Sequence, residues 1–233
     1  MAELIPIVFV PGLASSLRSH LPVMSSLWTH GSIFVANQTQ DDSIAAMAAR
    51  VLREAPPTFA LLGHSLGGYI SLEIMRQAPE RVTRLALLNT QARADTPEAI
   101  ERRKMQIAAV KAGAFDKAMD AFFPLLVHPA RVNDVALREE LRLASFESGP
   151  EAFIRQQTAV MARIDSRPSL AQIKVPTLVL SGDQDKLIPN DMSREMAGMI
   201  SGAKLVIVPN AGHMAPLEQP QAVIAAFDQW FAS

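Results

Sequence analysis

The chain has 233 residues, of which 49% are hydrophobic and 19% charged, which suits one full domain with a substantial core and excludes a disordered segment. A formal net charge of −1 leaves no basic surplus for nucleic acid or an anionic membrane. The absence of cysteine excludes disulfides, thiolate nucleophiles and Cys-ligated zinc.

From the N-terminus, Ile5–Val10 is an apolar strand candidate. The run Leu4 to Val10 is too short for a signal peptide, is interrupted by Pro6 and has no basic residue before it; no stretch approaches a membrane span. The expectation is a cytoplasmic protein without membrane insertion. Pro11-Gly12-Leu13-Ala14-Ser15-Ser16 forms the next loop, and Ile33–Ala36 a second strand. Asp42–Glu54 carries a helical pattern, and Phe59–Leu62 a third apolar run.

Gly63-His64-Ser65-Leu66-Gly67 follows that run directly and opens the helical stretch Leu66–Gln77. A G-x-S-x-G between strand and helix is a nucleophile elbow, a tight turn that lifts one serine off the sheet. Its glycines answer the close approach of strand and helix, where a Cβ would collide. Arg84–Leu88 is the fourth strand candidate.

From about Thr96 to Ser166 no convincing strand occurs. The helical stretches Pro97–Phe123, Asn133–Ser145 and Pro150–Ile164 fill this segment, with Pro97 and Pro150 placed where a first turn tolerates proline. Strands resume at Thr177–Leu180 and Leu205–Val208, with helices at Asp191–Ile200 and Gln219–Phe231. The strand runs are apolar throughout, as strands buried on both faces should be. Their alternation with helices predicts an α/β fold: one domain, a doubly wound, mostly parallel sheet of about six strands, and a helical cap inserted at about 96–166.

Serine is a weak nucleophile at neutral pH and needs a base with an orienting acid. Of the five histidines, His213 is the best base, because Asn210-Ala211-Gly212-His213-Met214 follows the last strand, where an α/β sheet opens its functional edge. His64 should point away from the serine, and His20, His30 and His128 are read as surface or packing residues. The acid belongs between serine and histidine in sequence, in Ser181-Gly182-Asp183-Gln184-Asp185. Asp183 sits early enough to cap the turn, so Asp185 is preferred and Asp183 held in reserve. Asn89, after the fourth strand, cannot supply the charge. The backbone N–H groups of Leu13 and Leu66 are the expected oxyanion donors.

With these residues in place, the chain resembles the α/β-hydrolase superfamily over nearly its whole length. The resemblance rests on Gly63-His64-Ser65-Leu66-Gly67-Gly68, on Gly182-Asp183-Gln184-Asp185 with Pro189, and on Gly212-His213 before Pro216-Leu217-Glu218. It implies a Ser65–His213–Asp185 triad and a helical cap after the strand ending near Leu88. Two departures stand out. Many relatives carry His-Gly after the first strand where this chain has Pro11-Gly12, and the two leading strands usual in the family are absent from a sheet that begins at Ile5.

Phe115, Met119, Phe122, Phe123, Phe146 and Met161 are candidates for an apolar substrate wall, although each also suits packing of the cap. Arg102, Arg103 and Lys104 suit a solvated helix face. The expected activity is hydrolysis of a small, fairly apolar carboxylic ester or lactone through an acyl-enzyme, without metal or organic cofactor, with a small-molecule substrate and with neither nucleic acid nor membrane insertion. Carbon–carbon bond hydrolysis or a lyase reaction on the same fold, and a non-catalytic ligand-binding protein, are the alternatives.

Overall fold

The apolar runs pair edge to edge in the computed structural model, which describes residues 4–233. In chain order the elements are β1 (Ile7–Val10), α1 (Leu21–His30), β2 (Ile33–Val35), α2 (Ile44–Glu54), β3 (Phe59–His64), α3 (Leu66–Gln77) and β4 (Val82–Leu88). Three long helices follow, α4 (Pro97–Lys111), α5 (Phe115–Leu126) and α6 (Val135–Met161), then the short α7 (Arg167–Leu170). The chain closes with β5 (Thr177–Gly182), α8 (Asn190–Met199), β6 (Lys204–Val208), α9 (Ala215–Glu218) and α10 (Pro220–Phe231).

All neighbouring strands run parallel, in the order β2-β1-β3-β4-β5-β6. Side-chain alternation explains why β1 and the Phe59–Leu62 stretch of β3 are apolar at every position. Val8, Val10 and Leu61 pack on one face with Met47 and Val51 of α2 and Ile70 and Ile74 of α3. Ile7, Phe9, Ala60 and Leu62 pack on the other with Val23 and Leu27 of α1 and Phe227 and Trp230 of α10. Each fully buried large apolar side chain contributes about 1.5–3 kcal/mol. The edge strands β2 and β6 are less buried. Among the described residues no helix is long and apolar enough to cross a membrane.

The strand order reverses direction between β1 and β3, whose ends meet at the Val10–Gly63 pair. In an open α/β sheet the crevice at this reversal, beyond the strands' carboxyl ends, is where ligands bind. Ser65 follows β3 directly at that point.

One helical boundary differs from the sequence reading. The single helix expected over Pro97–Phe123 is two, because Gly113 turns the chain with a φ of 85°. The two helices expected over 133–145 and 150–164 are the two halves of α6, separated by the non-helical backbone of Gly149 (φ 80°, ψ 169°) just before Pro150. Helix α1 went unread: only Val23 and Leu27 of it are buried, while Leu21 and Trp28 are exposed and blur the pattern.

Loop contacts tie these helices to the sheet's carboxyl edge. Ala14 N–H donates to Gln156 Oε1 at 2.8 Å, Ser166 N–H to the Ala92 carbonyl at 2.7 Å, and Met214 N–H to the Leu126 carbonyl at 3.0 Å. Ala14, Val110, Phe115 and Phe153 form a separate small core between helix and loop.

Candidate active site

The turn at Ser65 is strained and locked. Ser65 has φ 53° and ψ −114°, a conformation that a non-glycine residue holds only when its surroundings impose it. Its N–H donates to the Leu88 carbonyl at 2.9 Å, and its carbonyl accepts from Thr90 Oγ1 at 2.8 Å. The flanking glycines are required sterically: a Cβ on Gly67 would lie 1.9 Å from the Val10 oxygen, and one on Gly63 would lie 2.4 Å from the Gly67 oxygen. Leu66 opens α3, so its N–H belongs to the first turn, where no carbonyl of the helix can satisfy it.

His213 and Asp185 meet behind this turn. His213 Nδ1 lies 2.8 Å from Asp185 Oδ2, and the two side chains are almost completely buried. Asp185 is saturated with donors: Oδ1 accepts from the N–H groups of Leu187 and Ile188 at 2.9 Å each, and Oδ2 accepts from Asn89 Nδ2 at 2.9 Å as well as from the imidazole. Burial pushes this carboxyl up, but the His213 ring and the hydrogen bonds from His213, Asn89 and Ile188 outweigh it and hold it below its ordinary value. An ionised Asp185 accepting at Oδ2 places the His213 proton on Nδ1 and leaves Nε2 free to accept another. The other aspartate, Asp183, accepts from Ala211 N–H at 3.1 Å and so pins the loops after β5 and β6 to each other.

Further residues build the support, and the sequence reading passed over their roles. Asn89 also donates to the Gly212 carbonyl, at 3.2 Å. His64 is buried, and its Nε2 lies 3.0 Å from the His213 carbonyl. Buried Glu218 accepts from Gly212 N–H and His128 N–H, fixing the loop that carries His213. Of the histidines read as surface or packing residues, His20 packs: it is fully buried, its ring 4.4 Å from Phe9 and 4.8 Å from His64. Gln38 Nε2 donates to the carbonyls of Gly12 and Ser15 at 3.2 Å, holding the loop after β1. A polar residue in a loop gives no sequence signal of the contact it will make, so only the position of Asn89 after a strand hinted at its role.

A cavity of about 400 Å³ opens over these groups, within the size range of small-molecule sites. Leu13, Ser65, Leu66 and His213 line it, together with Met119, Phe122 and Phe123. Three other candidates for the wall stay outside the lining. Phe115 is buried against Phe153, ring centroids 6.0 Å apart; Phe146 is 46% exposed beneath the Arg142 guanidinium; Met161 ends α6, half-buried. These three pack or cover the helices. Arginines border the cavity as well: Arg102 and Arg103 line it, as do Arg93, Arg138, Arg142 and Arg163. Of the face read as solvated, Arg102 and Lys104 are exposed as expected, while Arg102 and the half-buried Arg103 also border the cavity.

A model of the Alpha/beta hydrolase family matches residues 7–226. A protein of Azorhizobium caulinodans provisionally named carbamate hydrolase RutD is 33% identical over 181 residues, 73% of this chain and 66% of the relative. The pimeloyl-acyl-carrier-protein methyl ester esterase of Nitrosomonas europaea is 26% identical over 194 residues, 80% of this chain and 77% of the relative. Among the RutD relatives the matched region spans 59% to 68% of their length. Of solved structures, a thermophilic esterase from Thermogutta terrifontis superposes with a TM-score of 0.89 at 25% identity, covering 98% of this chain and 89% of the esterase. The chain belongs to the alpha/beta hydrolase family.

Proposed function

We propose that the protein is a serine hydrolase that cleaves carboxylic esters or lactones of small molecules through an acyl-enzyme on Ser65. The observation that carries this reading is the buried His213–Asp185 pair at 2.8 Å, set on the same cavity as a serine held in a strained strand-to-helix turn. Relatives named as a methyl ester esterase and a carbamate hydrolase support attack on an acyl carbon bearing a heteroatom.

In this reading His213 Nε2 takes the proton of Ser65 Oγ as the oxygen attacks the carbonyl carbon. The N–H groups of Leu13 and Leu66 hold the oxyanion, and Asp185 stays ionised beside the imidazolium. His213 then gives its proton to the leaving alkoxide, which departs as an alcohol and leaves acyl-Ser65. Water loses a proton to His213, attacks the acyl carbon and releases the acid, and the proton returns to Ser65. Helices α4 to α6 act as a cap that shapes the cavity and excludes bulk water during both steps.

Turnover of short p-nitrophenyl esters by the wild type and by Ser65→Ala tests the proposal. The wild type is expected to turn over and the variant to fall by at least about 10³-fold; full activity in Ser65→Ala would overturn it.

A further inference from the structure

One wall of the cavity carries a charge arrangement that hydrolysis of a neutral ester does not use. Helix α4 presents Ala99, Arg102, Arg103 and Gln106 to the cavity, positions that share one helical face. Asp95 is divided between two cations: Oδ2 accepts from Arg103 Nε at 2.6 Å and Oδ1 from Arg163 Nη1 at 2.7 Å. Arg103 Nη1 also donates to Gln157 Oε1 at 2.6 Å, so the guanidinium is fixed in place.

One carboxylate thus answers two guanidinium groups, and a third stands beside them. Arg103 and Lys104 on α4 are each paired, whereas Arg102, exposed at the border of the cavity, makes no ion pair or side-chain hydrogen bond among the described residues. Arg163 is only 8% exposed and keeps a buried Nη2 with no partner. The remaining arginines of the lining are each answered: Arg93 by Glu195, Arg142 by Glu139, and Arg138 by Asp120 at 3.8 Å. The positive surplus is therefore local, in a chain whose net charge is −1.

We propose that this wall binds a carboxylate of the substrate, so that the molecule cleaved is an organic anion such as the monoester of a dicarboxylic acid. Guanidinium groups match a carboxylate's two oxygens with paired donors; Arg102 offers them from the solvent side of the cavity and Arg163 from its buried side. Met119, Phe122, Phe123 and Leu126, on the apolar part of the lining, suit the methylene chain between carboxylate and ester. The proposal rests on Ser65 being the nucleophile.

The test compares kcat/KM for mono-p-nitrophenyl adipate and p-nitrophenyl hexanoate, which differ by a terminal carboxylate in place of a methyl. The wild type is expected to prefer the anionic ester by about tenfold or more, with a preference that shrinks in high salt. In Arg102→Gln the ratio should fall toward one, while Lys104→Gln, the same charge change away from the cavity, should keep it. A wild-type ratio at or below one, or a ratio that Arg102→Gln leaves intact, would overturn the proposal while leaving hydrolysis at Ser65 standing. Cleavage of no ester at all would instead count against Ser65. Calorimetry with adipate alone then decides the wall: binding that Arg102→Gln weakens supports it, and absence of binding overturns it.

Discussion

His64 Nε2–H donates to the backbone carbonyl of His213 at 3.0 Å, joining the residue before Ser65 to the residue proposed as its base. A carbonyl only accepts, so the His64 proton sits on Nε2, and Nδ1 is left bare and buried without a partner. The bond crosses from the end of β3 to the loop after β6, which fixes the backbone of His213 from one side while Asp185 fixes its ring from the other.

The burial of His64 makes stability depend on pH. Burial, and next the charge of His213, push the His64 ring from its ordinary 6.5 down to about 3. Below pH 6.5 the unfolded chain gains a proton there that the folded chain refuses. Stability from this group is thus full above about 6.5 and is lost as pH falls toward 3. Buried His20, also lowered, acts in the same direction. Denaturant midpoints at pH 7 and pH 4.5 should differ markedly in the wild type. The gap should narrow in His64→Gln, whose amide can reach the same carbonyl without titrating.

The two aspartates after β5 should separate cleanly. Asp185→Asn removes the charge that orients the imidazole, and kcat is expected to fall by about 10³–10⁴-fold. Asp183→Asn keeps an acceptor for Ala211 N–H and should change kcat by less than about tenfold. Steady-state kinetics of the two variants on one ester checks the assignment, and the reverse order would make Asp183 the acid.

Asn89 lies outside the cavity lining but donates to Asp185. Asn89→Ala removes a buried hydrogen bond to a charged acceptor, a loss of about 1.5–3 kcal/mol. It should lower kcat with little change in KM, since it acts on substrate only through Asp185. An unchanged kcat alongside a lowered Tm would make its role one of stability alone.

Two glycines should respond oppositely to alanine. Gly67→Ala drives a Cβ into the Val10 carbonyl and is expected to prevent folding or to lower stability by about 3 kcal/mol or more. Gly198 lies within α8 with open space where its Cβ would go. Gly198→Ala is expected to add about 0.5–1 kcal/mol through helix propensity, and a thermal melt would register both changes.

The elbow and sheet were legible because their signals are local. Uninterrupted apolar runs mark strands buried on both faces, and the glycines around Ser65 mark a turn where backbones touch. His213 and Asp185 were legible by position, each following a strand on the sheet's carboxyl edge. The cavity wall was not, because α4 carries charge around much of its circumference and nothing in its pattern tells an arginine that borders the cavity from one that does not. Arg102 and Lys104 are both exposed and differ only in that Arg102 borders the cavity, and that is set by contacts such as Arg103 to Gln157, 54 residues apart in sequence. Phe115 and Phe123 recur at the same helical spacing, yet one fills a core between helices and the other borders the cavity.

The most direct test of the account is intact-protein and peptide mass spectrometry after reaction with a fluorophosphonate. The expected result is one adduct per chain, on the peptide containing Ser65, slowed in Asp185→Asn and absent in Ser65→Ala. An adduct that persists in Ser65→Ala, or wild-type protein that hydrolyses esters yet takes up no label at Ser65, would contradict the assignment of Ser65 as nucleophile.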